Sequence, residues 1–460
     1  MPLPDLIEIV PLEKPIRAEI TVPGSKSITN RALILAALAD GEVTLTGALW
    51  SEDTQVMTEA LVKLGFEVRV ENDPAEFCNR TITVKGQGGR IPKAGTAEKP
   101  LELFVGNAGT AARFLSAMVC LGNGVYRLSG VPRMHERPQA ELFKALRELG
   151  YRVESANDRL PATIFGCSRR REEADSSEDV RLLTSAATRQ CTVSITESSQ
   201  FASALLLSAK HGRWDVKVAG DDQEEAPYVT MTEKLVEMFP WSGGRFQIEP
   251  DASSGSYFWA AGWLMHGLEL RQRAVRAGRW SGSPVFVKDW PESGWQIDEN
   301  FPDFLPLPNT VSRNHQLGDS IMTAIVLAAD RNLAGKGKRM SLDAVYFNDL
   351  GRLRVQECER VLALRTELTK CGAMVVEQGD RLTVHPSELY GAEIETYNDH
   401  RMAMCFAILG LKVPGIKLKN PACVKKTFPN FFQKLAGRLS ADILDGRTGK
   451  RLEIEDLFAD

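Results

Sequence analysis

Several cations in this chain stand beside turns rich in glycine, serine, proline and asparagine. Lys26 lies in "GSKSITNRA" with Arg31 a turn later, Arg133 in "GVPRMHERP", Arg360 in "RVQECER", Arg401 in "NDHRMAM" and Lys426 in "CVKKTFP". Helix N-termini already carry partial positive charge and unpaired N–H donors, so a cation there is repelled unless an anion lies between it and the dipole. Any one of these side chains alone reads as a solvated surface charge. Recurring in similar contexts, they read as a site for a multiply charged anion. Two carboxylates share the neighbourhood, Asp319 at the start of an apolar helix and Glu357 among arginines. The commonest use of Asp at such a point is an N-cap, but beside a cation-rich cleft Asp319 is also a candidate general base. Glu136 and Glu359 read as ordinary ion-pair partners.

The elements that must position these residues repeat six times. A polar turn rich in Gly, Ser, Asp or Asn runs into a helix of small apolar residues from Gly24, Gly106, Glu197, Asp251, Gly318 and Tyr397, for example "GNAGTAARFLSAM" and "DASSGSYFWAAGW". Most copies are followed by a strand, an amphipathic helix ending near Leu-Gly and a further strand, as in "SEDTQVMTEALVKLGFEVRV" from Ser51, with parallels from Arg137 and Gln356. This grammar predicts an α/β protein of two similar domains, each of three βαβαββ repeat units with inward-packed helices, divided near residues 245–254. The apolar helices have no polar face and must be buried, while their polar first turns need partners. If those turns face a shared cleft, several helix ends point at one anion. Residues 85–100, 168–181 and 332–340 read as exposed loops.

Composition narrows the partners. With 460 residues, two domains are expected, and a net charge of −4 gives no general attraction to nucleic acid or to an anionic membrane. Eight scattered cysteines, with no C-x-x-C pair and no His cluster, read as reduced packing thiols of a cytoplasmic protein without a metal site. No leader-like N-terminus and no apolar run of about 18 residues is present, so neither secretion nor membrane insertion is expected.

At these residues the sequence resembles the enolpyruvyl transferases. The resemblance runs in order through "GSKSITNRA", "GNAGTAARF", "PRMHERP", "SSQFASALL", "DASSGSYF", "RVQECER", "YNDHRMAM" and "KKTFPNFF". It implies residues 1–22 as strands joining the C-terminal domain, units one to three in 23–248 and units four to six in 249–460. It further implies transfer of the enolpyruvyl group of phosphoenolpyruvate to the 5-hydroxyl of shikimate 3-phosphate, through a tetrahedral intermediate that expels phosphate, with no metal or organic cofactor. A monomer is expected. By matching positions, Lys26, Asn107, Gly109, Arg133, Gln200, Arg360, Arg401 and Lys426 would hold phosphoenolpyruvate. Ser27 and Arg31 would hold the shikimate carboxylate, with Ser198, Ser199 and Gln200 near its phosphate and ring and Lys26 also binding the acceptor. Asp319 would take the 5-hydroxyl proton, with Glu357 and Lys26 assisting proton traffic at the methylene carbon and the leaving group.

Three departures fall on the acceptor side. Gln356 stands where the family usually has lysine, Arg352 where it has asparagine, and Glu225 near an expected serine. Arg352 would restore the charge lost at Gln356, and the two would share a face if this segment is helical. The third unit is short of a hairpin at residues 238–250, and residues 282–304 replace a brief Gln-Gly-Asp turn. The alternatives are a related transferase with another hydroxylated acceptor, or a catalytically silent protein of the same fold. The peptidoglycan branch carries a cysteine in the loop matching "SGVPRMHERP", and none occurs between Cys120 and Cys167.

Overall fold

The computed structural model describes residues 3–14, 16–166, 189–220, 226–265, 284–330 and 344–459. The predicted loops at 168–181 and 332–340, with Glu225 and Cys167, lie outside them. The chain divides into one body of Gly24–Pro74 and Asn79–Ile248 and another of Met1–Pro23, Ala75–Cys78 and Glu249–Asp460. Strands β1 (Leu6–Ile9) and β2 (Ala18–Ile20) open the chain and belong to the latter.

The first body runs α1 (Lys26–Leu38), β3 (Glu42–Leu49), α2 (Glu52–Lys63), β4 (Val68–Asn72) and β5 (Asn79–Lys85). Then come β6 (Leu101–Phe104), α3 (Gly109–Met118), β7 (Val125–Ser129), the short α4 (Pro132–Glu136), α5 (Ala140–Glu148), β8 (Arg152–Glu154) and β9 (Ala162–Phe165). It closes with β10 (Arg189–Ser194), α6 (Ser199–Gly212), β11 (Trp214–Ala219), α7 (Ala226–Met238) and β12 (Gly244–Gln247). Helix α1 is buried from Ile28 to Leu38, as a helix without a polar stripe must be. It starts at a point of close approach, since a Cβ on Gly24 would lie 2.0 Å from the Gly47 carbonyl oxygen. Helix α2 is tied at its start by Thr54, whose Oγ1 accepts the Ser51 N–H at 2.9 Å while its own N–H donates to the Ser51 carbonyl at 3.1 Å. The sheets order as β12-β3-β5-β4, β6-β7-β9-β8 and β10-β11. The second repeat is a full βαβαββ unit. In the third, β12 leaves to pair in parallel with β3 of the first sheet, so the described residues hold no closing hairpin there.

The second body adds α8 (Ala252–Leu264), β13 (Val285–Val287), a 3₁₀ stretch (Ile297–Phe304), β14 (Thr310–Ser312), a π turn (Arg313–Leu317) and α9 (Ile321–Ala328). It continues with β15 (Val345–Asn348), a 3₁₀ turn (Gly351–Val355), α10 (Arg360–Lys370), β16 (Met374–Gln378), β17 (Arg381–His385), β18 (Glu393–Ile394) and α11 (His400–Gly410). Strand β19 (Ile416–Lys419), a 3₁₀ turn (Pro421–Lys426), α12 (Phe431–Leu439) and β20 (Ile443–Asp445) complete it. The fifth repeat, ordered β14-β15-β17-β16, reproduces the pairing of the second. Strand β1 lies antiparallel between β19 and β20, and β2 pairs in parallel with β13. Helices α8, α9 and α11 pack on one another around Phe258, Trp263, Ile325 and Phe406. Alanine, glycine and serine in α8 let its backbone come close, and all thirteen of its residues are buried.

Candidate active site

In the first body, polar side chains knit α1, α3 and α6 together near their first turns. Asn30 donates to Thr110 at 3.0 Å, and Arg113 on α3 donates to Gln200 Oε1 at 2.7 Å. Lys26 and Ser27 on α1, Asn107 and Gly109 at the start of α3, and Ser198, Ser199 and Gln200 at the start of α6 are thereby gathered. Ser198 caps α6 by accepting the Gln200 N–H at 3.3 Å. Gly109 leaves room for the Arg137 guanidinium, which a Cβ there would meet at 2.7 Å, and Arg137 in turn donates to the Asn107 carbonyl at 3.2 Å. Arg133 lies on α4, exposed and paired with Glu136 at 2.5 Å. Its helix is tied to the turn before α3 by the Val131 N–H on the Gly106 carbonyl at 3.0 Å.

The opening expectation about α1 needs correction. Lys26 is balanced by Asp53, on the first turn of α2, at 3.3 Å, so a protein carboxylate already answers its charge. Arg31 does not stand at the helix N-terminus. It is 1% exposed, donating to Thr232 Oγ1 at 2.7 Å, Ser27 O at 2.9 Å and Ser203 Oγ at 3.0 Å, with its guanidinium over the Phe114 ring. Its flat five-donor group suits that nest of oxygens better than a point charge would.

In the second body, helix starts bring acids and arginines into one network. Asp319 Oδ1 accepts from Arg313 at 3.0 Å, while its Oδ2 lies 3.3 Å from Arg401 and 3.9 Å from Arg360. Arg401 also donates to Ser253 on α8 at 3.1 Å. Arg360 donates to Asp399 at 2.6 and 3.2 Å, to Glu357 at 2.8 Å and to the Gln356 amide oxygen. Glu357 reaches Lys426 at 2.9 Å. Asp399 caps α11 through the Arg401 N–H at 2.9 Å, so one carboxylate fixes both arginines. Glu359 caps α10 and pairs with Arg354 at 2.6 Å.

The helix-cap alternative for Asp319 is excluded, because its carboxylate turns to the arginines. The Ser320 N–H at the head of α9 is taken at 2.6 Å by Asp298, from the 3₁₀ stretch. Burial alone would raise the Asp319 pKa, but Arg401, Arg313 and Arg360 outweigh it and hold this carboxyl well below the usual carboxylate range. Asp298 goes the other way. Burial, then the charge of Asp319, push it up to about 7 against the opposing pull of Arg401 and the Ser320 N–H.

Arg352 and Gln356 do not share a helical face. The 3₁₀ turn carrying Arg352 ends at Gln356, whose φ of −89° and ψ of −132° leave the helix before α10 begins. Gln356 instead anchors Arg360. Sequence reasoning also missed Arg313 and Asp298. "NDHR" carried an N-cap signal for Asp399, whereas Asp298 comes to Asp319 only through tertiary folding and Arg313 through a local π turn that no periodicity announces. Among the described residues no group of three or more His, Cys, Asp or Glu could hold a metal ion, and no helix is long and apolar enough to cross a membrane.

Among solved structures, an EPSP synthase from Acinetobacter baumannii matches with a TM-score of 0.66 at 20% identity, over 95% of this chain and 99% of that one. The enolpyruvyl transferase NikO from Streptomyces tendae matches at 0.61 and 17%, over 96% and 99%. The architecture is therefore that of the enolpyruvyl transferases. A family model of EPSP synthase (3-phosphoshikimate 1-carboxyvinyltransferase) matches residues 10–241 and 240–435. The 3-phosphoshikimate 1-carboxyvinyltransferase of Trichormus variabilis is 35% identical over 457 residues, covering 94% of this chain and 98% of its own. That of Opitutus terrae is 37% identical over 469 residues, covering 95% and 98%. The chain belongs to the EPSP synthase family.

Proposed function

We propose that the protein transfers the enolpyruvyl group of phosphoenolpyruvate to the 5-hydroxyl of shikimate 3-phosphate and releases phosphate, without a metal or organic cofactor. What carries the reading is the single ion network in which Asp319 and Glu357 meet Arg360, Arg401 and Lys426. Cations alone would bind an anion. Two carboxylates among them add nothing to that affinity and point to proton transfer.

Arg360, Arg401 and Lys426 take the charges of phosphoenolpyruvate, joined by Lys26, Asn107, Gly109, Arg133 and Gln200. Lys26 and Ser27 take the shikimate carboxylate, with the buried charge of Arg31 raising the potential behind them. Ser198, Ser199 and Gln200 take the acceptor phosphate and ring, with Arg352 supplying a cation and Gln356 fixing Arg360. As phosphoenolpyruvate draws Arg360 and Arg401 to its own charges, Asp319 loses part of the field that suppresses its basicity. It then accepts the 5-hydroxyl proton as that oxygen attacks C2. Glu357, between Arg360 and Lys426, delivers a proton to the methylene carbon. Loss of that proton and departure of phosphate restore the double bond, with the cations stabilising the leaving group. The same reading makes the protein a cytoplasmic monomer.

The test is steady-state phosphate release from phosphoenolpyruvate by the purified protein. Release should require shikimate 3-phosphate and no added metal. Absence of turnover with that acceptor would overturn the function, and activity lost to a chelator and restored by a divalent ion would overturn the cofactor statement.

A further inference from the structure

Arg313 opens the π turn between β14 and α9, and its side chain is 2% exposed. It meets a different carboxylate oxygen of Asp319 from the other arginines, donating to Oδ1 while Arg401 and Arg360 face Oδ2. The partners differ in origin. Arg401 and Arg360 come from α11 and α10, whereas Arg313 lies six residues before Asp319 on the same connection and is carried with it.

We propose that Arg313 is a positioning residue for the reaction put forward above. It stays on Oδ1 when substrate charges draw Arg401 and Arg360 away, keeping Asp319 ionised with Oδ2 free for the acceptor hydroxyl. The proposal rests on Asp319 being the general base. The other charged groups packed around it sharpen the point. Asp298 faces Asp319 from the 3₁₀ stretch and favours its protonation, Asp251 acts through Arg401 from the cap of α8, and Asp399 and Glu357 act through Arg360. Without Arg313, the bound state would leave Asp319 in the field of the buried Asp298 with less positive charge to offset it, and coupled carboxyls cannot readily both ionise.

Arg313→Gln keeps an N–H donor and removes the charge, while Arg313→Lys keeps the charge. The Asp319 carboxyl can be followed by carbon-13 NMR in the free protein, assigned by its loss in Asp319→Asn. In the wild type it should remain ionised below pH 4. In Arg313→Gln its titration should rise by about one to three pH units. The acid limb of kcat should move the same way, kcat should fall about ten-fold or more, and KM for phosphoenolpyruvate should stay within about two-fold. Arg313→Lys should titrate close to the wild type. An unmoved titration in Arg313→Gln, or a raised KM with unchanged kcat, overturns the proposal. Where the glutamine variant does not fold, a wild-type Asp319 titrating above pH 5 overturns it equally. Because the NMR reading needs no turnover, a wild type inactive with shikimate 3-phosphate would sink the reaction and not the coupling of Arg313 to Asp319.

Discussion

Asp319 is held by arginines on both carboxylate oxygens, which makes it a poor base until a substrate competes for some of them. Asp319→Asn keeps the shape and the oxygen that accepts from Arg313 but cannot accept a proton. Its kcat should fall by about 10²–10⁴, with both KM values little changed in steady-state kinetics. An unchanged kcat would remove Asp319 from the chemistry. Arg352 calls for the complementary measurement, since it lies on a 3₁₀ turn off the face of Gln356 and can compensate the missing lysine only from a different direction. Arg352→Asn should raise KM for shikimate 3-phosphate about ten- to a hundred-fold, the loss of one charge-assisted hydrogen bond, and leave that for phosphoenolpyruvate alone. Equal KM values for the acceptor before and after substitution would remove Arg352 from acceptor binding.

At the scale of elements, the head of α9 depends on a buried acid from another segment. Asp298 caps Ser320, and its pKa is raised from the usual 3.8 to about 7. A folded-state pKa above the unfolded one means that folding favours the protonated acid. This contribution is fully present below the unfolded value and is lost as pH rises through about 7. By linkage the span is on the order of 4 kcal/mol at most. Asp298→Asn keeps the capping oxygen and removes the titration, so it should gain stability on the wild type at pH 8 relative to pH 5.5, measured by urea unfolding at both values. Parallel pH dependence in the two proteins would show that Asp298 ionises freely. The helix itself was legible: "IMTAIVLA" has no polar face and follows a Gly-Asp-Ser turn, and the other five small-residue helices carry the same signal. The cap was not. Asp298 lies more than twenty residues upstream in a Trp- and Pro-rich stretch without periodicity, and the π turn that aims Arg313 has no repeat from which to be read. Gln356 failed for a related reason, because spacing of four implies a shared face only where an α-helix persists.

At the scale of the whole molecule, the chain passes between its two bodies at 23/24, 74/75, 78/79 and 248/249. The sequence signalled the last of these, where a strand-like run gives way to a polar turn. The excursion Ala75–Cys78 went unseen, because "AEFC" reads as part of an ordinary hairpin connection between β4 and β5. What holds it is Glu76, 3% exposed, whose Oε2 lies 2.5 Å from Lys434 and accepts from Thr21 at 2.6 Å, while Oε1 accepts from Asn430 at 2.7 Å. These partners come from the segment after β2 and from the start of α12, so one acid ties the chain's beginning to its C-terminal helix. Breaking a buried pair by removing one member costs about 3–5 kcal/mol. Glu76→Ala should therefore lower the stability of the second body by that amount and lose hydrogen-exchange protection first around Thr21 and Asn430 to Lys434. The first body's amides should be spared, because no residue of this cluster belongs to it. Glu76→Leu with Lys434→Met should recover much of the loss, since replacing both charges by packed apolar groups removes the uncompensated member. A double-mutant cycle read by exchange mass spectrometry decides the matter: a coupling near zero, or protection lost evenly across both bodies, would mean that the excursion is held by its backbone and by Phe77 against Phe458 rather than by Glu76.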